Sequence, residues 1–152
     1  MARVLIVLGS ASDREYFDGV ESLAGFFGFD IEIAILSAHR DSDRLRAKLS
    51  EAPRQGTEVV VAAAGMAAHL AGVCAAESLL PVIGVPLPTS SLNGLDALLS
   101  TVQMPSGVPV ATVAIGKAGA KNAIVLAARI LALKESAIAQ KLAEFKARGA
   151  RL

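Results

Sequence analysis

Arg3-Val-Leu-Ile-Val-Leu8 is the segment that decides the fold of this chain. After its first residue the segment is apolar at every position, and so is Val59-Val-Val-Ala62 further on. A strand with one covered face alternates apolar and polar residues, whereas a strand buried on both faces is apolar throughout. We therefore predict a parallel sheet that carries helices on both faces, with these segments inside it.

The same kind of segment recurs along the chain. Short runs rich in β-branched residues predict strands at Arg3–Leu8, Ile31–Leu36, Glu58–Ala63, Pro81–Val85 and Val108–Ile115. Apolar residues at helical spacing predict helices over Tyr16–Phe27, Asp43–Pro53, Ala67–Ser78, Ala118–Leu133 and Glu135–Arg148. This alternation predicts an α/β chain, a three-layer α/β/α domain of the flavodoxin-like (Rossmann-like) kind. Residues 1–152 form one domain, and 135–152 form a C-terminal helix that we expect to pack on a neighbouring subunit.

Two helices carry more specific expectations. Ser12-Asp-Arg-Glu15 has the form of a capping box that starts the first helix, and Gly28 is placed to end it. The helix predicted over Ala67–Ser78 is almost entirely apolar, so we expect it to be buried on all sides.

Composition narrows the class of protein. The 152 residues include 15 Lys and Arg against 14 Asp and Glu, and no Trp. Neither a basic run before the helical tail nor a set of stacking aromatics is present, so nucleic acid is not an expected partner. Cys74 has no partner for a disulfide, and neither a signal peptide nor a membrane-spanning run is evident. We expect a soluble cytoplasmic protein. Because 53% of the residues are apolar and only 19% are charged, we also expect a homo-oligomer.

Gly9-Ser-Ala-Ser-Asp13 joins the first strand to the first helix. Glycine allows a tight turn, and serine hydroxyls with helix N-terminal amides suit a phosphate. The alternative is an ordinary turn in which Ser12 caps the helix. Asp13 fits either helix capping or hydrogen bonds from ribose hydroxyls. Neither a GxGxxG fingerprint nor a P-loop is present, so a dinucleotide fold is disfavoured.

Ser37-Ala-His-Arg40 follows the second strand directly. Ligands of open α/β sheets bind beyond the carboxyl ends of strands, and histidine exchanges protons near neutral pH. His39 is therefore a candidate acid/base or an idle surface histidine, and Arg40 could pair with a phosphate or a carboxylate.

Ala62-Ala-Ala-Gly-Met-Ala-Ala-His-Leu70 leaves the third strand with almost no side-chain bulk. Small residues allow a flat ligand to approach the backbone, and Gly65 could present its N–H group. The alternative is tight helix packing with His69 bonded to a neighbouring carbonyl. A metal site built from His39, His69 and Cys74 is disfavoured, because their spacing is not compact and no carboxylate cluster accompanies them.

Together these motifs resemble the PurE family of carboxyaminoimidazole ribonucleotide mutases and carboxylases. The resemblance covers essentially the whole chain, in order. Its segments are Gly9–Asp13, Ser37–Arg40, Gly65–Leu70, Pro81–Pro86, Leu92–Leu98 and Val102–Asn122.

The resemblance implies a flavodoxin-like subunit in a homo-octamer, with neither a metal nor an organic cofactor, that acts on a small ribonucleotide and CO2. It implies that the chain moves a carboxylate from N5 to C4 of aminoimidazole ribonucleotide in purine (IMP) biosynthesis. A direct carboxylase and a non-catalytic nucleotide-binding relative are the alternatives. The residues carried over are His39 as the general acid/base, Ser10, Ser37 and Arg40 for the phosphate, Asp13 for the ribose, and Ala64, Gly65, His69 and Leu70 for the carboxylate pocket.

Arg40, His69 and Lys117 fit the mutase class. The direct carboxylases have the motif Ser-Ala-His-Lys, with Lys where this chain has Arg40. The chain also departs from the family, which usually has Thr-Pro where Asp41-Ser42 stands, Gly in place of Met66 and Pro in place of Ala71. We expect Asp41 to add a negative charge beside the phosphate site and Met66 to add bulk beside the CO2 pocket.

Overall fold

The computed structural model describes residues 1–151, which contain a five-stranded parallel sheet in the order β2-β1-β3-β4-β5. The strands are β1 (Arg3–Leu8), β2 (Asp30–Ile35), β3 (Thr57–Gly65), β4 (Val82–Leu87) and β5 (Ala111–Thr112). The α-helices are α1 (Val20–Phe27), α2 (Ser42–Glu51), α3 (Leu70–Glu77), α4 (Leu95–Val102), α5 (Lys117–Leu131) and α6 (Ser136–Ala147). Strand order and helices on both faces confirm the predicted flavodoxin-like class.

β1 lies inside the sheet and separates two hydrophobic cores. Its residues Val4, Ile6 and Leu8 face the core built with α1, α5 and α6, whereas Leu5 and Val7 face the core built with α2 and α3. All five side chains are fully buried. The continuous apolar run is thus explained by burial on both faces, as predicted.

α1 ends where the sequence indicated, but the chain before it differs from the prediction. Gly28 has φ of 88° and donates its N–H to Ala24 O at 2.9 Å, which satisfies a terminal carbonyl. The predicted single helix is divided into a 3₁₀ helix, Ala11–Phe17, and α1. The capping box predicted at Ser12 is wrong, because the residue that caps the 3₁₀ helix is Ser10.

The prediction is least accurate for β5 and α4, at the edge of the sheet farthest from β2. β5 pairs over Ala111–Thr112 only, which is shorter than the predicted Val108–Ile115. Pro109, two residues before β5, has no N–H with which to extend the ladder toward Val108. α4 was not predicted, although Leu95, Leu98, Leu99 and Val102 follow helical spacing. A short edge strand protects the sheet against pairing with other chains.

Two expectations about helix surfaces have different outcomes. α3 buries Leu70, Ala71 and Cys74 but leaves Glu77 exposed, so within this chain it is not buried on all sides. α6 packs against α1 and α5 of its own chain, where Phe145 lies 5.3 Å from Phe27 between ring centroids. A contact of the C-terminal helix with a neighbouring subunit stays a prediction.

No helix within residues 1–151 combines the length and the apolar character that crossing a membrane requires.

One close contact provides a test of this packing. A Cβ on Gly119, in the first turn of α5, would lie 1.7 Å from Ala114 O, a backbone atom that cannot rotate away. We expect Gly119→Ala to lower the free energy of unfolding by about 2 kcal/mol through overpacking.

Gly25→Ala is the matched control. Gly25 lies inside α1 with no atom within 4 Å of the added Cβ. This variant should be more stable than wild type by about 0.5–1 kcal/mol, because alanine loses less backbone entropy on folding. Urea unfolding of both variants checks the pair, and equal midpoints would contradict the packing described here.

Candidate active site

A cavity of about 590 Å³ lies at the edge of the sheet where β1, β2 and β3 end. The carboxyl ends of parallel strands meet at one edge, so the loops that follow these neighbouring strands converge there. The cavity brings together every site residue predicted from the sequence: Ser10, Asp13, Ser37, His39, Arg40, Ala64, Gly65, His69 and Leu70. A larger hollow of about 980 Å³ between α1, α5 and α6 contains none of them.

The cavity is also lined by Met66 and Ala67, which the sequence placed at the pocket, and by Gly9, Ser12 and Ala38, which lie within the motifs quoted above. Thr89 is the lining residue that lies outside every motif. Thr89 follows β4, so the rule that identified the loops after β1 to β3 also applies to it. Its Oγ1 occupies the space where a Cβ on Gly65 would stand, 1.6 Å from that position. Glycine at 65 is therefore required by the close approach of Thr89.

The loop after β1 is closed by a carboxylate. Ser10 N–H donates to Asp13 Oδ2 at 2.9 Å, and Asp13 N–H donates to Ser10 O at 3.1 Å. The hydroxyls of Ser10 and Ser12 lie 3.0 Å apart. The loop thus presents two serine hydroxyls and one carboxylate to the cavity.

Asp13 is an unusual residue in this set, because it is buried, with 4% of its surface exposed. Burial raises the pKa of its carboxyl above the ordinary value, and the hydrogen bond from Ser10 N–H opposes that shift. A buried carboxyl destabilises the folded state when it ionises, so Asp13 at the cavity is a candidate for a functional role.

The loop after β2 carries His39 and Arg40, both exposed to the cavity and to solvent. Leu36 N–H donates to Leu8 O at 2.9 Å, so the sheet's hydrogen bonding continues to the residue before Ser37. Within residues 1–151 the Arg40 guanidinium takes part in no ion pair. This cation is therefore available to an anionic ligand.

Asp41 does not contribute to the cavity as we expected. Its side chain is not among those that line it. One carboxylate oxygen accepts a hydrogen bond from Ser37 N–H at 3.0 Å, and the other lies 3.3 Å from Arg44 Nη1. The charge faces the protein's own groups, and Arg44 compensates it.

The two histidines of the chain contact each other across the cavity. His39 Nε2 lies 2.8 Å from His69 Nδ1, and the rings are nearly perpendicular, with an interplanar angle of 88°. One nitrogen donates and the other accepts, so this contact requires that one proton lie between the rings. The hydrogen bond joins the loop after β2 to the loop after β3.

The loop after β3 is built from small residues. Met66 has φ of 54°, in the left-handed region, where residues with a Cβ are uncommon. The turn continues with Ala68 N–H donating to Met66 O at 2.9 Å and His69 N–H donating to Ala67 O at 2.8 Å. The Met66 side chain lines the cavity and is exposed, in agreement with the bulk expected there.

The predicted site residues do not gather around a metal centre. Among residues 1–151 there is no group of three or more His, Cys, Asp or Glu side chains able to hold a metal ion. Cys74 lies in the core between β3 and α3, where burial raises its pKa to about 12. A thiol held protonated in this way is a packing residue.

Comparison with known proteins identifies the family. A family model described as AIR carboxylase matches residues 3–151. The N5-carboxyaminoimidazole ribonucleotide mutase of Thermotoga maritima is 53% identical over 148 residues, which are 97% of this chain and 85% of that protein. The mutase of Saccharolobus solfataricus is 50% identical over 145 residues, 95% of this chain and 90% of that protein. The crystal structure of Treponema denticola PurE superimposes with a TM-score of 0.88 at 30% identity, covering 99% of this chain and 92% of that one. The chain therefore belongs to the AIR carboxylase family, which the sequence motifs had indicated as PurE.

Proposed function

We propose that this chain is an N5-carboxyaminoimidazole ribonucleotide mutase of purine biosynthesis, an isomerase that moves a carboxylate from N5 to C4 of the aminoimidazole ring. The observation that carries the proposal is the His39–His69 contact at the boundary between two kinds of cavity wall. On one side are the hydroxyls and the guanidinium of the first two loops, and on the other are the small apolar residues of the third.

The polar wall suits the ribonucleotide's phosphate and ribose. Ser10, Ser37 and Arg40 offer two hydroxyl donors and a planar cation, a combination that binds phosphate oxygens well. Asp13 accepts hydrogen bonds, which matches the hydroxyl groups of a ribose. These contacts hold the ring in place, and fixed orientation alone supplies a large part of the rate of a reaction between two bound groups.

The apolar wall suits CO2. Ala64, Gly65 and Leu70 exclude water from one end of the cavity without competing for the gas. An electron-rich imidazole carbon attacks CO2 directly when the two are held together. The wall therefore serves as the holding place for CO2 between its release from N5 and its capture by C4.

His39 provides the proton transfers. In the first step a proton from its imidazolium goes to N5 as the N5–carboxylate bond breaks and CO2 leaves. In the second, C4 forms a bond to CO2, and the proton on C4 returns to His39. Protons and charges balance over the two steps, so the histidine ends as it began. His69 supports this role by its hydrogen bond to the His39 ring, which fixes the ring's orientation.

The proposal extends to assembly and location. Leu95, Leu99 and Val102 form an exposed apolar row on α4, with 53%, 50% and 46% of their surfaces exposed. Such a row supports burial between copies of the chain, and the resemblance to PurE favours a homo-octamer as the assembly. A cytoplasmic location is likewise part of the proposal.

The direct carboxylase is the second candidate, because the matching family model is described by that activity. Two substrates separate the candidates. The mutase should turn over the N5-carboxylated ribonucleotide without added bicarbonate, and should act only slowly on aminoimidazole ribonucleotide at low bicarbonate. Rapid carboxylation of the latter at low bicarbonate would identify a carboxylase. Binding of both ribonucleotides with turnover of neither would identify a non-catalytic relative.

His39→Asn tests the acid/base assignment. Asparagine retains a polar group but cannot exchange a proton near neutral pH, so kcat should fall by at least about 100-fold. Ribonucleotide affinity, measured by calorimetry, should stay within about threefold of wild type, because the phosphate and ribose contacts remain. His69→Asn is the matched control and should cost less in kcat. A normal rate in His39→Asn would exclude the assignment.

Asp13→Asn separates ligand binding from stability. A carboxyl whose pKa is raised in the folded state stabilises that state at pH values below its ordinary pKa of 3.8. This contribution is lost as the pH rises through the folded-state pKa. Asparagine keeps an acceptor for Ser10 N–H without ionising. The variant should therefore gain stability relative to wild type between pH 4 and pH 7, while its ribonucleotide affinity falls.

Urea unfolding at both pH values and a binding titration measure the two effects. Asp18→Asn, at an exposed position just after the 3₁₀ helix, is the control and should change neither quantity. A stability difference between Asp13→Asn and wild type that does not grow with pH would contradict the burial argument.

A further inference from the structure

The turn that carries His39 is tied at both ends by the same pair of residues. Ser37 N–H donates to Asp41 Oδ2 at 3.0 Å, and Asp41 N–H donates to Ser37 O at 2.9 Å. A third bond, from Arg40 N–H to Ser37 Oγ, is longer at 3.3 Å. Ser37 and Asp41 thus close a five-residue loop with His39 at its centre.

Few other contacts hold this turn. Within the described residues the His39 side chain has one hydrogen-bond partner, His69, and the Arg40 guanidinium has none. Both side chains are exposed. Ala38 packs against the core built with α2 and α3, and the hydrogen bonds of the turn are those between Ser37 and Asp41 and the one from Arg40 N–H to Ser37 Oγ. The carboxylate of Asp41 is the one side chain that supplies such a bond from outside the cavity.

Asp41 could serve as the N-cap of α2 or as the partner of Arg44 in a surface ion pair, and the geometry favours neither role. Asp41 is the N-cap residue of α2, but its side chain makes no hydrogen bond to the helix's first amides. Its other carboxylate oxygen lies 3.3 Å from Arg44 Nη1, yet the Arg44 side chain is 74% exposed. A solvent-exposed ion pair of this kind contributes little to stability. The bond that remains is the one directed back to Ser37.

The loop after β1 is closed by the same kind of hydrogen bond as the Ser37–Asp41 turn, but its carboxylate lines the cavity. There Ser10 N–H donates to Asp13 Oδ2 at 2.9 Å, so in both loops a carboxylate accepts a hydrogen bond from the amide of the first serine. Asp13 lines the cavity, whereas Asp41 does not. Asp13 both closes its loop and lines the cavity, whereas Asp41 only closes its loop.

We propose that Asp41 is a positioning residue, whose carboxylate holds the Ser37–Asp41 turn in the conformation that presents His39, Ser37 and Arg40 to the cavity. The inference rests on the proposed function for its catalytic consequence, but its structural part stands independently. Displacement of reacting groups by about 1 Å can reduce a rate by about 100-fold, so a turn of this kind needs a firm tether.

The test compares Asp41→Ala, which removes the acceptor, with Asp41→Asn, which keeps a carbonyl oxygen for Ser37 N–H. Asp43→Ala is the matched control, because Asp43 is an exposed acid in the first turn of α2. The first measurement is hydrogen exchange of the peptide that spans 37–41, without ligand. The second is kcat and KM with the N5-carboxylated ribonucleotide.

In Asp41→Ala we expect exchange of the 37–41 peptide to accelerate about tenfold, kcat to fall about tenfold and KM to rise, because His39 moves together with Ser37 and Arg40. A loss of folded protein alone would lower the apparent kcat without changing KM. Asp41→Asn should restore all three quantities to within about threefold of wild type, and Asp43→Ala should leave them unchanged.

Exchange in Asp41→Ala equal to that in Asp43→Ala would overturn the inference, and so would faster exchange with unchanged kcat and KM. Loss of activity in Asp41→Asn equal to that in Asp41→Ala would also overturn it, since the acceptor is retained. If Asp41→Ala does not fold, Asp41→Leu takes its place, because leucine keeps the side-chain volume without an acceptor. If the wild-type protein turns over neither ribonucleotide, the proposed function fails, and hydrogen exchange with ribonucleotide affinity decides the role of Asp41.

Discussion

The backbone hydrogen bonds that join β1 to both β2 and β3 determine where the three main loops of the candidate site begin. Leu8 pairs with Ile35 on one side and with Ala63 on the other, so three strands end at nearly the same height. Gly9 N–H extends the pairing by donating to Ala63 O at 3.0 Å. The loops that follow these strands therefore begin side by side, and together they line one cavity. The full burial of β1 on both faces keeps this register fixed, because a shift by one residue would exchange the two cores.

The cavity that results has walls of different chemistry because its loops come from different strands. The first two loops contain serines, an aspartate and an arginine, and the third contains alanines, glycine and leucine. The His39–His69 hydrogen bond is the one side-chain bond recorded between the second and third loops in the described residues. In the proposed reaction the nucleotide would bind against the first two loops and CO2 against the third, with His39 between them.

Much of this arrangement could be predicted from the sequence, and the errors have physical causes. Continuous apolar runs identify buried strands, so β1 and β3 were located well, and with them the loops that line the cavity. β5 was predicted too long because an edge strand is defined by which amides pair, and Pro109 has no N–H to extend it toward Val108. α4 was missed although Leu95, Leu98, Leu99 and Val102 follow helical spacing. The start of the first helix was misplaced because two serines compete for the cap, and only the three-dimensional path selects Ser10. The orientation of Asp41 depends on Ser37 N–H and Arg44, which no residue pattern reveals.

The aromatic residues have a consequence for how the protein can be observed. The chain has no tryptophan and a single tyrosine. That residue, Tyr16, lies half-buried on the same 3₁₀ helix as Asp13. A Cβ added to Gly116 would lie 3.9 Å from its ring. The phenylalanines contribute little fluorescence, and four of them, Phe26, Phe27, Phe29 and Phe145, pack together on the side of α1 and α6. The ultraviolet emission of the folded protein is therefore dominated by one tyrosine ring, and that ring lies on the same 3₁₀ helix as Asp13, so unfolding of this helix can be followed without an introduced label.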